Sequence, residues 1–281
     1  MPTSKKQKDS LGSELLPAMQ PSTIIKMPTI MTKRKSLFLL LLCSLLTLAS
    51  CHFDSSIKFS DLGERIAPSD HIVKQEFAQP PFDKVSLDVP ANVKFIQTAE
   101  EKPRVVISAP DNYLELFPLK VNKRKLAITF TKKNANIETD NVDVTIYSPT
   151  LIELENRGLA NVEVDRVSGS SLKVTNSGVG SLYFSGLGLE RLEATCDGVG
   201  NVELGGTARW ARLDCSGVGS IAAEQLQADT VVGEVSGVGG ISCFARKAIK
   251  GVVSGVGSLN YGGNPPDKEL KRTGVGGISE L

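Results

Sequence analysis

One tripeptide, Gly-Val-Gly, occurs six times in the second half of the chain. The copies lie within NSGVGSLYF, CDGVGNVEL, CSGVGSIAA, VSGVGGISC, VSGVGSLNY and RTGVGGISE. A degenerate seventh stands at Gly158-Leu159-Ala160. The leading glycines are Gly158, Gly178, Gly198, Gly217, Gly237, Gly255 and Gly274, at intervals of 20, 20, 19, 20, 18 and 19. A period near twenty is too short for a propeller blade or a helical-pair repeat, and suits one turn of a β-solenoid. The tandem turns occupy residues 150–281.

The residues between the glycines agree in type from turn to turn. Four positions after each leading glycine stand Val162, Leu182, Val202, Ile221, Ile241, Leu259 and Ile278. Six positions after it stand Val164, Phe184, Leu204, Ala223, Cys243 and Tyr261, and six before it Ile152, Leu172, Leu192, Ala211, Val231 and Ile249. One strand of this length cannot bury its apolar face alone. Stacked parallel turns bury these columns as one continuous core. The column one residue after each glycine, Leu159 followed by six valines, is also expected to point inward.

Five positions before the glycines, Glu153, Lys173, Glu193 and Arg212 alternate in sign. In a parallel stack these are surface neighbours. Opposite charges then lie side by side, at about 0.2–1 kcal/mol per cross-strand pair, and the alternation opposes a slip by one turn.

A Gly-x-Gly also occurs in dinucleotide-binding loops. That fingerprint needs one strand-to-helix turn and a third glycine at a fixed place. Here there are six copies, no helical pattern after any of them, and no third glycine at that place. The glycines therefore read as corners, where strands bend and successive turns approach closely. They are Gly178, Gly180, Gly198, Gly200, Gly217, Gly219, Gly237, Gly239, Gly255, Gly257, Gly274 and Gly276. The preceding Ser177, Asp197, Ser216, Ser236, Ser254 and Thr273 carry oxygens able to accept from backbone N–H groups at the bend.

Upstream the texture changes. KVSLDVPANVKF, RVVISA, KLAITF and VDVTIY alternate apolar and polar residues as half-buried strands do, while DNYLELF is at most a short helix or turn. VPANVKF at residues 89–95 parallels GLANVEV at residues 158–164, which suggests an early turn separated from the others by an inserted region. The domain is expected to span residues 80–281, behind a polar tether over residues 51–79.

Residues 31–51, MTKRKSLFLLLLCSLLTLASC, join a cationic start to an apolar run of eleven residues that ends at Leu48-Ala49-Ser50-Cys51. The run is short for a permanent span. The segment resembles a lipoprotein signal with its lipobox, covering residues 31–50. That resemblance implies acylation of Cys51, which becomes the mature N-terminus and the membrane attachment. Residues 1–30 then read as a non-native or upstream extension, with the start at Met31 or Met27. His52 stands where such proteins carry an inner-membrane retention Asp, so the resemblance implies the outer membrane, on its periplasmic or surface face.

Charge narrows the partners. The first fifty residues hold seven Lys/Arg against two Asp/Glu, leaving 25 basic and 29 acidic residues in the remainder. No basic field is left to attract nucleic acid. Besides Cys43 and Cys51 there are Cys196, Cys215 and Cys243, in no zinc-binding spacing. Cys196 and Cys215 both stand two residues before their glycines, which makes them stacked neighbours within disulfide distance. Their shared side-chain direction favours three reduced thiols over one bridge.

No catalytic, cofactor-binding or metal-binding residues are expected. His52 and His71, the chain's only histidines, fall in the tether, and Glu153, Glu155, Glu163 and Glu193 are dispersed among Lys and Arg. Glu155 and Glu163 are the pair most able to approach each other. Tyr183 and Trp210 are the rings placed to stack on sugars. A polysaccharide lyase or hydrolase is the alternative reading, without a catalytic cluster to support it.

The lipobox, the β-rich lead and the tandem SGVGS-L/I turns together resemble the bacterial GIN-domain family of auto-transporter adhesin head domains, over residues 82–281. The resemblance implies an all-β, right-handed parallel β-helix on a secreted or surface lipoprotein that binds or displays. A protein or glycan ligand and self-association are the partners to expect. No ligand residues come with the resemblance.

Overall fold

The computed structural model describes residues 65–99, 102–132 and 135–281. Cys51 and the signal-like segment lie outside the described residues. The described chain is nearly all β, arranged as a solenoid of about six turns with roughly 20 residues each. Seven corners bound those six intervals.

From residue 167 onward, chain order and spatial order coincide. Strand β10 (Val167–Asn176) covers about half a turn, and β11 (Leu182–Cys196), β12 (Val199–Cys215), β13 (Val218–Val235) and β14 (Val238–Val253) each run through most of one. The last turns are β15 (Val256–Gly262), β16 (Asp267–Arg272) and β17 (Val275–Glu280). All pair parallel, and the register matches glycine to glycine, as in Gly200 with Gly219 and Gly219 with Gly239. A sequence repeat becomes a spatial column because parallel turns stack like on like.

The first three rungs follow a different order. Strands β2 (Lys84–Asp88) and β3 (Asn92–Gln97) form one rung, and β8 (Glu153–Asn156) and β9 (Asn161–Val164) stack directly on it. Asn92 faces Asn161 and Phe95 faces Val164, so VPANVKF is an early turn on GLANVEV. The insertion between them supplies a rung on the other side. Its strands β6 (Lys125–Thr129) and β7 (Asp143–Ser148) pair parallel with β2 and β3.

Antiparallel strands flank this outer rung. Strand β5 (Leu119–Asn122) forms a hairpin with β6 through Lys123 and Arg124, both at positive φ as a tight two-residue turn demands. Strand β4 (Arg104–Pro110) pairs with β7, and β1 (Ile72–Ala78) pairs with β4. DNYLELF contains a 3-10 helix, Asp111–Leu116. Strand β1 falls within the stretch read as tether. It shows little apolar patterning because its residues are mostly exposed, and the β4 backbone holds it.

One apolar core runs the length of the stack. The columns four and six residues after the leading glycines are buried from Val162 and Val164 to Leu259 and Tyr261. The column six before is buried from Leu172 to Ile249, but Ile152 at its start is 39% exposed. Each fully buried aliphatic side chain contributes about 1.5–3 kcal/mol. Packing interdigitates across turns: a Cβ on Gly233 would stand 2.8 Å from Leu259 Cδ1, and one on Gly251 2.8 Å from Leu270 Cδ2. Gly251 makes room for Leu270 of the next turn in its own column, and Gly233 for Leu259 of another inward column.

The corner valines do not enter the core. Leu159, Val179, Val199, Val218, Val238, Val256 and Val275 are 48–74% exposed. Alternation of period two passes through the corner without a change of phase. Positions two, four and six residues before the leading glycine and four and six after it face inward, so the odd position one residue after it faces out.

Candidate binding faces and the corners that shape them

Each corner is held by the backbone of the preceding turn. Gly198 N–H donates to the Asn176 carbonyl at 2.9 Å and Val199 N–H to the Gly178 carbonyl at 2.9 Å. The same pattern recurs at Val218, Val238, Val256 and Val275, each donating at 2.9 Å to the leading glycine one turn before. These amides are occupied within the stack, so they form no phosphate cradle. The Ser and Asp side chains were expected to satisfy them. Of those hydroxyls Ser177 instead donates, at 3.3 Å, to the Asn156 carbonyl.

The glycines themselves answer to close approach. A Cβ on Gly198 would overlap the Gly178 carbonyl oxygen and lie 2.6 Å from the Ser177 carbonyl carbon. At Gly217 it would overlap the Gly198 carbonyl oxygen. From Gly200 onward the second glycine of each pair meets the second glycine of the preceding turn, while Gly180 meets Ala160; Gly180 and Gly200 also stand at φ of 125° and 145°.

A further corner device escaped the sequence reading. Two residues before the glycines, the inward column is Asn156, Asn176, Cys196, Cys215, Val235 and Val253, all buried. Its polar members donate to the carbonyl four residues ahead. Asn156 Nδ2 reaches Ala160 at 3.2 Å, Asn176 Nδ2 reaches Gly180 at 2.9 Å, and the Cys196 and Cys215 thiols reach Gly200 and Gly219 at 3.3 and 3.4 Å. Asn156 Nδ2 also donates to Asn176 Oδ1 at 3.0 Å, while Asn156 Oδ1 accepts the Gly158 N–H at 3.2 Å. The signal was available: amides and thiols in an inward column need a partner.

Cys196 and Cys215 are register partners, and both are free and buried, as is Cys243. The neighbouring Cys215 sulfur and burial push the Cys196 thiol up, and burial pushes Cys243 up to about 12. The hydrogen bond from Cys196 pulls the Cys215 thiol down, but all three sulfurs are buried in the core, away from any surface a substrate could reach.

The charged columns pair partly sideways. Glu153 lies against Lys125 at 2.6 Å and Lys84 at 3.7 Å, and the Lys125 hydrogen bond holds its carboxyl below the usual range. Glu193 pairs with Arg191 at 2.8 Å, and Arg212 with Asp214 at 2.8 Å and Glu234 at 3.2 Å. Lys250 and Glu269, later in the same column, do pair along the stack at 2.8 Å. Glu155 and Glu163 do not form a pair. Glu155 lies with Lys125 and Arg157, and Glu163 with Lys94. Among the described residues no three His, Cys, Asp or Glu side chains cluster as a metal site would require.

Two concave surfaces among the described residues are the most roomy. The first is a cleft of about 610 Å³ on the outward face of β3, β7, β9 and β11. Asn92 and Asn161 stack in one of its columns, while Thr145, Lys94, Glu163 and Tyr183 stack in the next. Tyr183 is 41% exposed. Lys94 donates to Asp165 at 2.9 Å, which holds the ammonium above and the carboxylate below their ordinary ranges. Trp210, the other ring singled out from sequence, lies elsewhere, with the Arg191 guanidinium 3.7 Å above its centroid. That stacking covers one face of the indole. The second surface, about 540 Å³, is apolar and runs beside the first three corners. It is lined by Phe130 and Ile137 from the insertion and by the corner column, where Pro90 of the lead stacks on Leu159, followed by Val179 and Val199.

The chain matches, over residues 81–265, the family described as "putative auto-transporter adhesin, head GIN domain". A comparison with curated proteins finds no match. Among solved structures it is similar to one described as a putative adhesin from Bacteroides fragilis. That structure shares 32% identity with a TM-score of 0.74, covering 77% of this chain and 100% of that one. It is also similar in fold to a putative adhesin from Parabacteroides merdae, with 19% identity, a TM-score of 0.59 and coverage of 78% and 99%. A structure from Parabacteroides distasonis, described as a putative lipid binding protein, shares 18% identity with a TM-score of 0.62 and coverage of 78% and 100%. The repeated corners, the stacked lead and the family match over most of the solenoid agree, and the chain belongs to the GIN-domain family.

Proposed function

We propose that this protein is a binding module of the bacterial cell envelope, of the adhesin kind. It presents its solenoid faces to a glycan or protein ligand and catalyses no reaction. The observation that carries this reading is the cleft at Tyr183. It combines an accessible ring with stacked Asn92 and Asn161 and an ion-paired Lys94, the mix of one apolar platform and a few polar groups by which a concave site orients a polar ligand. Two carboxylates line it: Glu163, engaged by Lys94, and Asp143, stacked on Asn92 in the neighbouring column. Descriptions of the family and of its solved members as adhesins support the envelope setting. The finer placement, on the outer membrane through an acylated Cys51, rests on the lipobox resemblance; two or more acyl chains would give stable anchoring.

A glycan array probed with the parent and with Tyr183→Ala tests the binding reading, beside a reducing-end release assay on the same glycans. Binding that falls roughly tenfold in the variant, the scale of one good aromatic contact, is the expected result. Release of reducing ends by the parent would overturn the non-catalytic reading. Glycan binding unchanged in the variant would remove the Tyr183 cleft from it.

A further inference from the structure

Strand β1 is the free edge of one solenoid face. That face runs β11, β9, β3, β7, β4 and then β1, and among the described residues no strand pairs with the far side of β1. Beyond β3 this face adds three strands, β7, β4 and β1, whereas beyond β2 the neighbouring face adds only β6 and β5. Strand β1 is therefore the outermost strand at this end of the stack.

Exposed edges are commonly guarded by shortness or by charge. Strand β5 has four residues, and β16 at the far end, DKELKR, carries five charges in six. Strand β1, IVKQEFA, is seven residues long, contains no proline and pairs with β4 in unbroken register. Its two charges, Lys74 and Glu76, are opposite in sign and flank its central residue, Gln75.

The pairing with β4 fixes which backbone groups of β1 are free. Gln79 N–H donates to the Pro103 carbonyl at 2.9 Å, and Asp111 N–H to the His71 carbonyl at 3.0 Å. These bonds put the odd-numbered residues in hydrogen-bonded pairs with β4, so Ile72, Lys74, Glu76 and Ala78 turn their N–H and C=O groups outward. Pro80 has no N–H and ends the row. Two copies of β1 can then pair antiparallel only with even-numbered residues opposite even-numbered ones. Centred on Lys74 or on Glu76, such a pair sets like charge on like charge. Centred on Gln75, it overlaps the whole strand and sets Lys74 opposite Glu76 of the other copy, twice, and Ile72 opposite Ala78. On the core-facing side it brings Val73 against Phe77, both half-buried, at the closer non-hydrogen-bonded positions. Glu76, 3.5 Å from Arg104 of its own chain, gains a second cation there.

We propose that β1 pairs with β1 of a second copy, antiparallel about a two-fold axis at Gln75, joining two solenoids head to head through one continuous sheet. The contact is closed and isologous. Its affinity comes from the main-chain bonds that the outward residues exchange, as when a strand is added to a sheet edge. The area is that of one strand edge, so the dimer is of the weak, concentration-dependent class. A two-fold axis between antiparallel strands stands perpendicular to the sheet, so the outward faces of both copies lie on the same side. The Tyr183 cleft is centred between β3 and β9, about 3.5 strand spacings from β1, which puts the two clefts about 38 Å apart along the joined sheet. That bivalent display rests on the binding reading; the dimer itself does not.

Charge exchange in the purified full chain tests the register. Lys74→Glu alone makes both flanking positions acidic, and Glu76→Lys alone makes both basic. Each should weaken dimerisation roughly tenfold or more in sedimentation velocity at ~100 μM, a concentration suited to a weak contact. Mixed, the two variants set acid opposite base at both positions and should associate as the parent does. Gln75→Cys, on the axis, should give a covalent dimer under mild oxidation roughly tenfold faster than Ile72→Cys, whose mates are ~20 Å apart. Glycan binding by Lys74→Glu reads the Tyr183 cleft separately from the dimer, so failure of one is distinguishable from failure of the other. A mixture of the two charge variants that stays monomeric would overturn the proposal. So would Gln75→Cys crosslinking no faster than Ile72→Cys, or crosslinking only to other envelope polypeptides.

Discussion

Replacing Gly198 with alanine puts the corner argument to a quantitative test. The added Cβ would overlap the Gly178 carbonyl oxygen and stand 2.6 Å from the Ser177 carbonyl carbon, and both neighbours are backbone. Neither can swing aside as the end of a flexible side chain could. The same oxygen accepts the Val199 N–H at 2.9 Å, so opening the gap between turns also stretches the corner's own hydrogen bond. Overpacking against rigid neighbours costs about 1–3 kcal/mol, and weakening one buried hydrogen bond about 0.5–1.5 kcal/mol. Together these predict a loss of about 2–4 kcal/mol, or roughly 5–12 °C in Tm for a domain of this size. Gly169→Ala is the matched control. Gly169 also lies in a strand of the stack, yet a Cβ there meets nothing within 4 Å, so the change should be nearly neutral. Thermal melts followed by circular dichroism compare the two. If Gly198→Ala melts within about 1 °C of Gly169→Ala, close approach is not what the corner glycines provide.

Three further outcomes follow from the residues described. Cys51→Ser should leave the protein in the soluble fraction or carrying an uncleaved signal; unchanged membrane partition would remove the lipid anchor. Cys196, Cys215 and Cys243, buried and free, should resist alkylation in the native protein and give three adducts when unfolded without reductant; one adduct would mean that Cys196 and Cys215 are bridged. Asn176→Val removes the acceptor of Asn156 and the donor to Gly180, and should cost about 1–3 kcal/mol, whereas Asn176→Cys keeps a donor in the column and should cost less. Equal melting of the two would show that the buried donor contributes nothing.

Much of the architecture is readable along the chain because an in-register parallel stack converts sequence period directly into neighbours. The twenty-residue spacing, the inward columns and the match of VPANVKF to GLANVEV all depend on that one translation. The outer rung β6–β7 breaks it. Residues 125–148 carry no Gly-Val-Gly and stack below a rung that precedes them in the chain, so nothing in their period reports their place. Strand β1 was hidden for another reason: it is held by hydrogen bonds to β4 with little burial, and its residues carry little apolar signal. The Tyr183 cleft is assembled from four strands of four successive rungs, and only the Tyr itself was conspicuous. The charge ladder's register was legible, but long side chains choose partners within reach: Arg212 pairs with Asp214 and Glu234, and Glu193 with Arg191.

The corner valines were misplaced by treating the glycine pair as an interruption of the strand. The columns already contained the answer. Residues two before the glycine and four after it are both inward, six positions apart, and an even separation leaves no room for an odd residue to face in. The inward column through the corner changes from Asn to Cys to Val while the backbone bonds at each corner keep the same pattern, so the bend is defined by the glycine contacts and the amide ladder. The valines are thereby free of any packing duty. Their exposed methyls hold no turn in place, and polar replacement at Val218 should change stability by less than about 0.5 kcal/mol. The column is aliphatic at all seven corners, so its character answers to the surface and not to the packing of the turns.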